Sequence, residues 1–217
     1  KAKGKDGTYY TPHRLVEFLL DEMLPWEGSA TSLKVLDPAC GSGIFLVEAY
    51  RRLISRWQQA NPGAKPRVDD LRRIMEDSLF GIDKNLEAVR VAAFSLNLTM
   101  CDYLEPRYIW DKVKFPALRN KNLWVQDFFD FAESPPQRAR NADLVIDNPP
   151  WESGLPESAE RFLSDRKRRV GDKQIAQAFL WAAPGLCKPE GQICLIAPSK
   201  GLLFNASGPN QEFRKQF

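Results

Sequence analysis

The chain has 217 residues, of which 43% are hydrophobic and 27% are charged. These fractions exclude a disordered or collagen-like chain, and the length allows one full α/β domain or two small ones. The net charge of +3 is too small to prove a polyanionic partner, and no apolar run reaches the roughly 18 residues of a membrane-spanning helix.

The chain contains four cysteines, at positions 40, 101, 187 and 194, and a single histidine, His13. Because no two cysteines form a CxxC pair, the sequence predicts no metal site built on thiolates or imidazoles. Free thiols are typical of a reducing compartment, so we expect a cytoplasmic protein. A Ser/His or Cys/His hydrolase would have to rest on His13 alone, which argues against that class.

The first half of the chain alternates predicted helices and strands. The first helix begins with Thr11 as its cap and Pro12 at its first helical position. Further elements are predicted at residues 33–37 (strand), 44–57 (helix), 79–83 (strand) and 86–98 (helix). Residues 58–77 are predicted to be an insertion that contains a helix of its own. The arginines at positions 51, 52 and 56 are expected on a solvated helix face.

The second half continues this alternation. Strands are predicted at residues 123–127, 144–147 and 192–198, and a helix at 174–186 is expected to end before Pro189 and Gly191. Strands that alternate with helices and are apolar on both faces are typical of a doubly wound, mostly parallel sheet. The sequence therefore predicts a Rossmann-like α/β fold with ligands at the carboxyl ends of its strands.

A glycine-rich turn joins the first strand to the next helix, with the sequence Asp37-Pro38-Ala39-Cys40-Gly41-Ser42-Gly43. Glycines let the backbone turn tightly and approach a ligand closely, so a nucleotide-like cofactor is expected here. The turn lacks the third glycine of the dinucleotide fingerprint, and a purely structural turn is the alternative.

Two further aspartates follow later strands. Asp83 ends the strand at 79–83, where a carboxylate can accept both ribose hydroxyls of an adenosine. It lies farther from the glycine turn than the usual separation of about 20 residues, which requires residues 58–77 to be an insertion. Asp127 precedes Phe128. In such a pair the carboxylate can accept a hydrogen bond from an adenine amino group while the aromatic side chain packs against the adenine ring. Either aspartate could instead cap a helix or lie in a solvated loop.

The fourth predicted strand ends in the segment Asp147-Asn148-Pro149-Pro150-Trp151. Its two prolines fix an extended backbone and leave acceptor groups pointing outward. The Asn148 side-chain oxygen and the Pro149 carbonyl can then both accept from one planar amino group, while Trp151 stacks on the ring that carries it. The alternative is a proline-stiffened loop around a buried tryptophan.

These segments, in this order, resemble the S-adenosylmethionine-dependent DNA adenine-N6 methyltransferases of restriction-modification and related phage-defence systems. The resemblance spans almost the whole chain. It implies methyl transfer from S-adenosylmethionine to the exocyclic N6 of adenine in DNA, with base flipping and direct in-line transfer. Trp151 and the long spacing before Asp83 resemble the large fused restriction-and-modification enzymes more than the compact methyltransferases.

The resemblance also implies which residues bind the cofactor. Tyr10-Thr11-Pro12, in an amino-terminal motif helix at residues 1–30, is similar to the family motif that meets the methionine portion. The glycine turn resembles the cofactor loop, with Asp37 near the methionine amino group. Asp83 matches the ribose carboxylate, and Asp127-Phe128 matches the adenine-binding pair.

The catalytic motif of the family resembles Asn148-Pro149-Pro150-Trp151, and Asp147 is grouped with it as a residue that shapes the loop. By the same resemblance, a target-recognition region follows the catalytic half. Residues 1–217 are therefore expected to be a catalytic domain without that region, whose activity in isolation is open. The implied partners are double-stranded DNA and the missing recognition domain, in the same chain or in a partner subunit, with no membrane.

A basic run follows the catalytic segment and comprises Arg161, Arg166, Lys167, Arg168, Arg169 and Lys173. At the rim of the pocket these residues, and above all those at 166–169, are candidates for DNA phosphate contacts, and a solvated, mobile loop is the alternative. Two other functions stay open. A protein-glutamine amide methyltransferase presents the same acceptors to a similar amino group, and a catalytically silent cofactor-binding module would serve as a scaffold.

Overall fold

The computed structural model describes residues 11–217, apart from the side chains at 108, 111 and 112, so Tyr10 of the predicted cofactor motif lies outside the described residues. Residues 11–217 form five strands and nine α-helices. The strands are β1 (Val35–Asp37), β2 (Leu79–Asp83), β3 (Leu123–Val125), β4 (Ala142–Asp147) and β5 (Cys187–Leu195). The helices are α1 (His13–Met23), α2 (Ile44–Ala60), α3 (Val68–Ser78), α4 (Leu86–Cys101), α5 (Pro106–Lys112), α6 (Phe128–Glu133), α7 (Glu157–Asp165), α8 (Ile175–Ala182) and α9 (Gly208–Gln216).

All five strands pair in parallel, in the order β3-β2-β1-β4-β5. The register places Val35 of β1 between Leu79 of β2 and Leu144 of β4. Because the chain winds from β1 first to β2 and β3 and later to β4 and β5, the strand order reverses between β1 and β4. A crevice at such a switch point is where doubly wound sheets bind ligands. The predicted Rossmann-like α/β fold is confirmed.

Side chains alternate between the two faces of the sheet and build two cores. Val35 and Leu79 pack with α1 to α4 on one face, whereas Leu36 and Phe80 pack with α6 to α8 on the other. Burial on both faces explains why the strands are continuous apolar runs in the sequence. No helix within residues 11–217 is both long and apolar enough to cross a membrane.

Most predicted elements are confirmed, with shifts at their ends. β2 spans the predicted residues, β1 begins later and β4 begins earlier than predicted. α2 and α4 each extend beyond their predicted ends. The first helix begins at His13, and Pro12 is its N-cap without any side-chain cap bond. The predicted capping role of Thr11 is therefore wrong, and its hydroxyl is used elsewhere.

The last strand differs most from its prediction. β5 begins at Cys187, so Pro189 and Gly191 lie inside a strand instead of following the end of a helix. The pairing register shifts between Ala142 and Leu144 of β4, which marks a bulge in β5. Proline is tolerated at a bulge because no ladder hydrogen bond is needed there. Glycine fits because a Cβ at position 191 would lie 2.8 Å from the Ala142 carbonyl oxygen.

The segment at residues 58–77, predicted as an insertion, leads into α3. Leu71 and Met75 of this helix are fully buried in the first core, and the Tyr50 hydroxyl donates to the Leu71 carbonyl oxygen at 2.9 Å. The helical part of the segment is therefore an integral part of the fold. The insertion itself stays a prediction.

Two arginines of α2 contradict the expectation of a solvated face. Arg52 is fully buried and Arg56 is 6% exposed. The Arg52 guanidinium donates to the Leu24 carbonyl oxygen at 3.2 Å and pairs with Asp21 at 2.8 Å, and Arg56 donates to the Pro25 carbonyl oxygen at 2.9 Å. These bonds tie the carboxyl end of α1 to α2. Helical periodicity within α2 alone carries no sign that another segment covers this face.

Candidate cofactor and catalytic site

Three aspartates meet at the carboxyl edge of the sheet, and we call them the acidic edge: Asp37 ends β1, Asp83 ends β2 and Asp147 ends β4. β1 lies between the other two strands, so Asp37 lies between its partners. All three carboxyls interact electrostatically. The fold thus brings together three predicted site residues that are far apart in the sequence.

The glycine turn at residues 38–43 is fixed onto this edge by backbone hydrogen bonds. The Cys40 amide donates to the Ile82 carbonyl oxygen at 2.8 Å, and the Gly43 amide donates to the Cys40 carbonyl oxygen at 2.7 Å. Gly43 has φ +83°, and a Cβ there would lie 2.9 Å from Ala92 Cβ in α4. Gly41 has φ +52°, and apart from its chain neighbours no atom of the described residues would lie within 4 Å of a Cβ there. One glycine therefore permits helix packing, and the other leaves room beside the backbone.

Asp83 is held in place by two backbone amides. Its Oδ2 accepts from the Gly41 amide at 3.0 Å, and its Oδ1 accepts from the Asn85 amide at 2.7 Å. An ionised carboxylate offers about four lone-pair sites, so both oxygens keep capacity for further donors. Asp83 is therefore oriented beside the glycine turn and able to accept from a pair of hydroxyls.

Asp127 and Phe128 also have structural roles at the start of α6. Asp127 Oδ1 accepts from the Phe129 amide at 2.9 Å and from the Asp130 amide at 3.4 Å, so Asp127 is the N-cap of this helix. Phe128 is 4% exposed, and its ring stacks on Phe179 with centroids 4.4 Å apart. The helix-cap alternative is thus realised for Asp127. The adenine-binding role of the pair stays a prediction.

Asp37 and Asp147 are the most enclosed members of the acidic edge, each 1% exposed. Burial raises the pKa of the Asp37 carboxyl to about 7. Burial, followed by the neighbouring Asp37 charge, raises the pKa of Asp147 well above its ordinary value. Among residues 11–217, two of their oxygens, Asp37 Oδ1 and Asp147 Oδ2, are buried without a hydrogen-bond partner. Buried acceptors are normally satisfied, so these two can each accept from a donor beyond the described part of the chain.

Asn148 follows Asp147 and is oriented by the amino-terminal segment. Its Nδ2 donates to Thr11 Oγ1 at 3.0 Å, and its Oδ1 is buried without a partner within the part of the chain that the structure describes. Because the amide nitrogen is engaged, the oxygen is the atom that can accept from a further donor. Sequence reasoning paired Thr11 with the cofactor and missed this contact, since a bond between residues 137 positions apart has no local sequence signal.

The other residues of the predicted catalytic segment become more exposed along the chain. Pro149 is buried and Pro150 is half-buried. Trp151 keeps 45% of its surface exposed, and its Nε1 donates to the Ile196 carbonyl oxygen at 3.3 Å. The alternative of a buried tryptophan is therefore wrong. The ring is attached at the edge of β5 and borders solvent.

The basic run, which we call the basic loop (residues 161–173), is largely compensated by acidic and aromatic neighbours. Arg161 pairs with Asp130 at 2.5 Å, Arg166 with Glu133 at 2.7 Å and Lys173 with Glu160 at 3.7 Å. The Arg168 guanidinium lies 4.4 Å above the Trp181 ring. Lys167 and Arg169 are exposed. A cavity of about 600 Å³ borders the loop, with Arg168, Arg169 and Lys173 among its lining residues.

Comparison with known proteins decides between the families that share this fold. A family described as N-6 DNA Methylase matches residues 1–217. The chain belongs to this family. The family resemblance inferred from the motifs is thereby confirmed, and the N-6 DNA methylase match extends over the acidic edge, the catalytic segment and the basic loop.

Curated relatives of this N-6 DNA methylase chain are restriction-modification and related enzymes. The type II methyltransferase M.VspI of Vibrio sp. (strain 343) is 25% identical over 191 residues, covering 88% of this chain and 36% of M.VspI. The methylase subunit of the type I restriction enzyme MjaVII of Methanocaldococcus jannaschii is 30% identical over 150 residues. The match covers 69% of this chain and 19% of the MjaVII subunit. The chain thus spans about a third or less of the length of these relatives.

Solved structures agree with the N-6 DNA methylase chain in fold. The methyltransferase subunit of a type I restriction-modification system from Streptococcus thermophilus superposes with a TM-score of 0.62 at 19% identity, covering 95% of this chain and 37% of that one. A nuclease-deletion mutant of the type ISP enzyme LlaGI, in complex with a DNA substrate mimic, superposes with a TM-score of 0.67 at 18% identity. The match covers 95% of this chain and 22% of the LlaGI chain. The shared fold is the S-adenosylmethionine-dependent methyltransferase type.

Proposed function

We propose that this chain transfers a methyl group from S-adenosylmethionine to the exocyclic N6 of adenine in DNA. The observation that carries the proposal is Asn148 Oδ1, a buried acceptor that has no partner among residues 11–217 and whose orientation is fixed by the bond from Nδ2 to Thr11. Such an oxygen suits a planar amino group that must be held and made more nucleophilic. Membership of the N-6 DNA methylase family supports adenine as the ring that carries this group.

The acidic edge and the glycine turn fit the cofactor. Asp37 Oδ1, which is buried and accepts from no described residue, would accept from the methionine amino group, and Asp83 keeps acceptor capacity for the ribose hydroxyls. The open space beside Gly41 leaves room for a ligand near the backbone. Thr11-Pro12 would meet the methionine portion, and Asp127-Phe128 the adenine. When bound, S-adenosylmethionine supplies a methyl group on a positively charged sulfur.

The remaining catalytic residues prepare the target base. Adenine N6 lies inside the stack of a duplex, so the base must be flipped out at a cost of a few kcal/mol. Trp151, which is partly exposed, would stack on that base, and the Pro149 carbonyl would be a second acceptor for the amino group. The methyl–sulfur bond would break as the nitrogen–methyl bond forms, the sulfur would keep the electron pair as a neutral thioether, and the methylated nitrogen would then lose one proton to the solvent. We propose direct, in-line transfer without a covalent enzyme intermediate.

We further propose that DNA phosphates contact the exposed side chains of the basic loop, Lys167 and Arg169, with Arg166 and Arg168 in supporting positions. Because the chain covers 36% of M.VspI and 19% of the MjaVII subunit, we propose that sequence recognition is supplied by a further domain or a partner subunit. The cytoplasmic location inferred from the free cysteines stays a prediction.

The decisive test is methyl transfer by wild type and Asn148→Ala, with labelled S-adenosylmethionine and three acceptors. These are duplex DNA, a single-stranded adenine-containing oligonucleotide that needs no flipping, and a glutamine-containing peptide. We expect Asn148→Ala to lose on the order of 10²-fold or more in turnover with cofactor affinity unchanged. Asn61→Ala, at an exposed asparagine, should behave as wild type.

Turnover retained by Asn148→Ala would contradict the assignment. Labelling of the peptide instead of DNA would favour the glutamine amide reaction. Cofactor binding without transfer to any acceptor, also when a recognition subunit is added, would favour the scaffold function.

A further inference from the structure

A network of side-chain amides fastens the end of the basic loop to α8 and α9. The Gly171 amide donates to Gln177 Oε1 at 2.6 Å, and Gln177 Nε2 donates to Asn210 Oδ1 at 2.9 Å. Asn210 Nδ2 in turn donates to Asp172 Oδ2 at 2.8 Å. Gln177 is 2% exposed and Asn210 is fully buried. The network therefore returns to the turn at residues 171–173, from which it starts.

Asp172 holds this turn in a costly backbone conformation. Asp172 and Lys173 have φ +50° and +52°, in the left-handed region that residues other than glycine rarely adopt. Such a conformation persists only where the surrounding contacts determine it. Asp172 Oδ2 accepts from Asn205 Nδ2 at 2.6 Å as well as from Asn210. The carboxylate and its two amide donors are contacts of this kind.

The turn is bonded to the residues that directly follow Trp151. The Gly154 amide donates to the Lys173 carbonyl oxygen at 3.0 Å, and Gln174 Nε2 donates to Ser153 Oγ at 2.9 Å. Ser153 and Gln174 also pair as an isolated antiparallel bridge. Because these bonds are made just after Trp151, the turn constrains the path of the backbone that leaves this residue.

We propose that Asp172 is a positioning residue: by holding the turn at residues 171–173, it keeps Trp151 oriented to stack on the flipped adenine. The inference rests on the proposed function, which assigns Trp151 to that base. Asp172 acts through its amide donors and through the bonds to Ser153 and Gly154, not through contact with the base. The role requires an acceptor atom and a residue that tolerates the left-handed region, and it requires no negative charge.

Three substitutions at position 172 separate these requirements. Asp172→Asn keeps an acceptor oxygen, and asparagine is among the residues that adopt positive φ most readily. Asp172→Gly keeps the backbone conformation but has no acceptor. Asp172→Ala provides neither. The matched control is Asp165→Ala, at an exposed aspartate that ends α7.

The first readout is methyl transfer to a single-stranded, adenine-containing oligonucleotide. We expect kcat to fall by about 10- to 100-fold in Asp172→Ala and by less in Asp172→Gly, because a small misplacement of a group that positions the substrate has effects of this size. Asp172→Asn and Asp165→Ala should behave as wild type. The KM for S-adenosylmethionine should stay close to the wild-type value in all four variants, since the network bonds to none of the residues proposed to hold the cofactor.

The second readout is the accessibility of the Trp151 ring to acrylamide, which quenches tryptophan fluorescence by collision. The contribution of Trp151 is the difference between each protein and the same protein carrying Trp151→Phe. Wild-type Trp151 is 45% exposed and bonded to Ile196, so we expect quenching to increase in Asp172→Ala and to stay at the wild-type level in Asp172→Asn. If Asp172→Ala does not fold, Asp172→Gly carries both readouts, because glycine adopts positive φ without strain.

The outcomes separate this inference from the proposed function. Unchanged quenching of Trp151 in folded Asp172→Ala or Asp172→Gly overturns the positioning role, whatever the turnover. Loss of turnover in Asp172→Asn equal to that in Asp172→Ala also overturns it, since the charge would then be required. Increased quenching with a wild-type kcat overturns the assignment of Trp151 to the flipped base. Failure of wild type to label any DNA, also when a recognition subunit is added, overturns the proposed function, and quenching alone then decides whether Asp172 orients Trp151.

Discussion

The acidic edge and the basic loop carry opposite charge, and they differ in whether neighbouring residues pair with their charged groups. Asp37 and Asp147 are buried, yet each has an oxygen that accepts from no group in the described range 11–217. Arg161 and Arg166 are exposed, yet both are paired with carboxylates. The edge therefore keeps buried acceptors that a ligand could use. Most basic side chains of the loop already have a carboxylate or aromatic partner. A dense charge run in a sequence is therefore weaker evidence for a binding site than a few buried acceptors that lack a hydrogen bond.

The largest stability effect should come from breaking the glycine turn beside the acidic edge. Gly43→Ala places a Cβ 2.9 Å from Ala92 Cβ at φ +83°, and we expect the free energy of unfolding to fall by about 2–4 kcal/mol. Gly41→Ala meets no atom within 4 Å and should lose only about 1–2 kcal/mol, while weakening cofactor binding. Urea unfolding and cofactor titration separate the two effects. Equal destabilisation by both variants would argue against the packing role of Gly43.

A moderate effect is expected from Thr11, which connects the amino-terminal motif to the acidic edge. Thr11→Val removes the acceptor for Asn148 Nδ2, so the amide is free to turn its oxygen away. We expect kcat to fall by about tenfold, the value of one hydrogen bond, with a smaller change in the KM for S-adenosylmethionine, because valine keeps the shape of the side chain that would meet the methionine portion. Thr11→Ser should restore kcat. A rise in KM alone would mean that the hydroxyl serves the methionine portion instead.

The smallest effects on function should come from substitutions in the basic loop. They test whether its exposed side chains contribute more to DNA binding than its paired ones. Changing the exposed Lys167 and Arg169 to alanine should weaken DNA binding uniformly across sequences and reduce the salt slope by about one for each phosphate that is no longer neutralised. Arg161→Ala and Arg166→Ala should change DNA affinity less, because Asp130 and Glu133 already hold these side chains. Binding measured over a range of salt concentrations tests this. A greater decrease in affinity from the paired arginines would contradict the contrast.

Local sequence patterns predicted the sheet and the position of the acidic edge well. Apolar runs followed by aspartate indicated the ends of β1, β2 and β4, and parallel pairing then brought Asp37, Asp83 and Asp147 together. This succeeded because burial on both faces of a parallel sheet imposes a strong local signal.

Contacts between distant segments could not be predicted. The burial of Arg52 depends on α1 and the segment after it crossing α2, and the orientation of Asn148 depends on Thr11. The extension of β5 through Pro189 depends on a bulge opposite β4. In each case the deciding partner lies in another segment, beyond the reach of local periodicity.

The most direct test of the central claim is calorimetric titration of the chain with S-adenosylmethionine, comparing wild type with Asp83→Ala and Asp127→Ala. We predict saturable binding that Asp83→Ala weakens by about 10- to 100-fold, through the removal of hydrogen bonds to a charged acceptor. Asp127→Ala should weaken it less, and its unfolding midpoint, measured in parallel, separates removal of the helix cap from removal of a hydrogen bond to adenine. No binding by a demonstrably folded wild type, or unchanged binding by both variants, would contradict the assignment of the cofactor to the acidic edge.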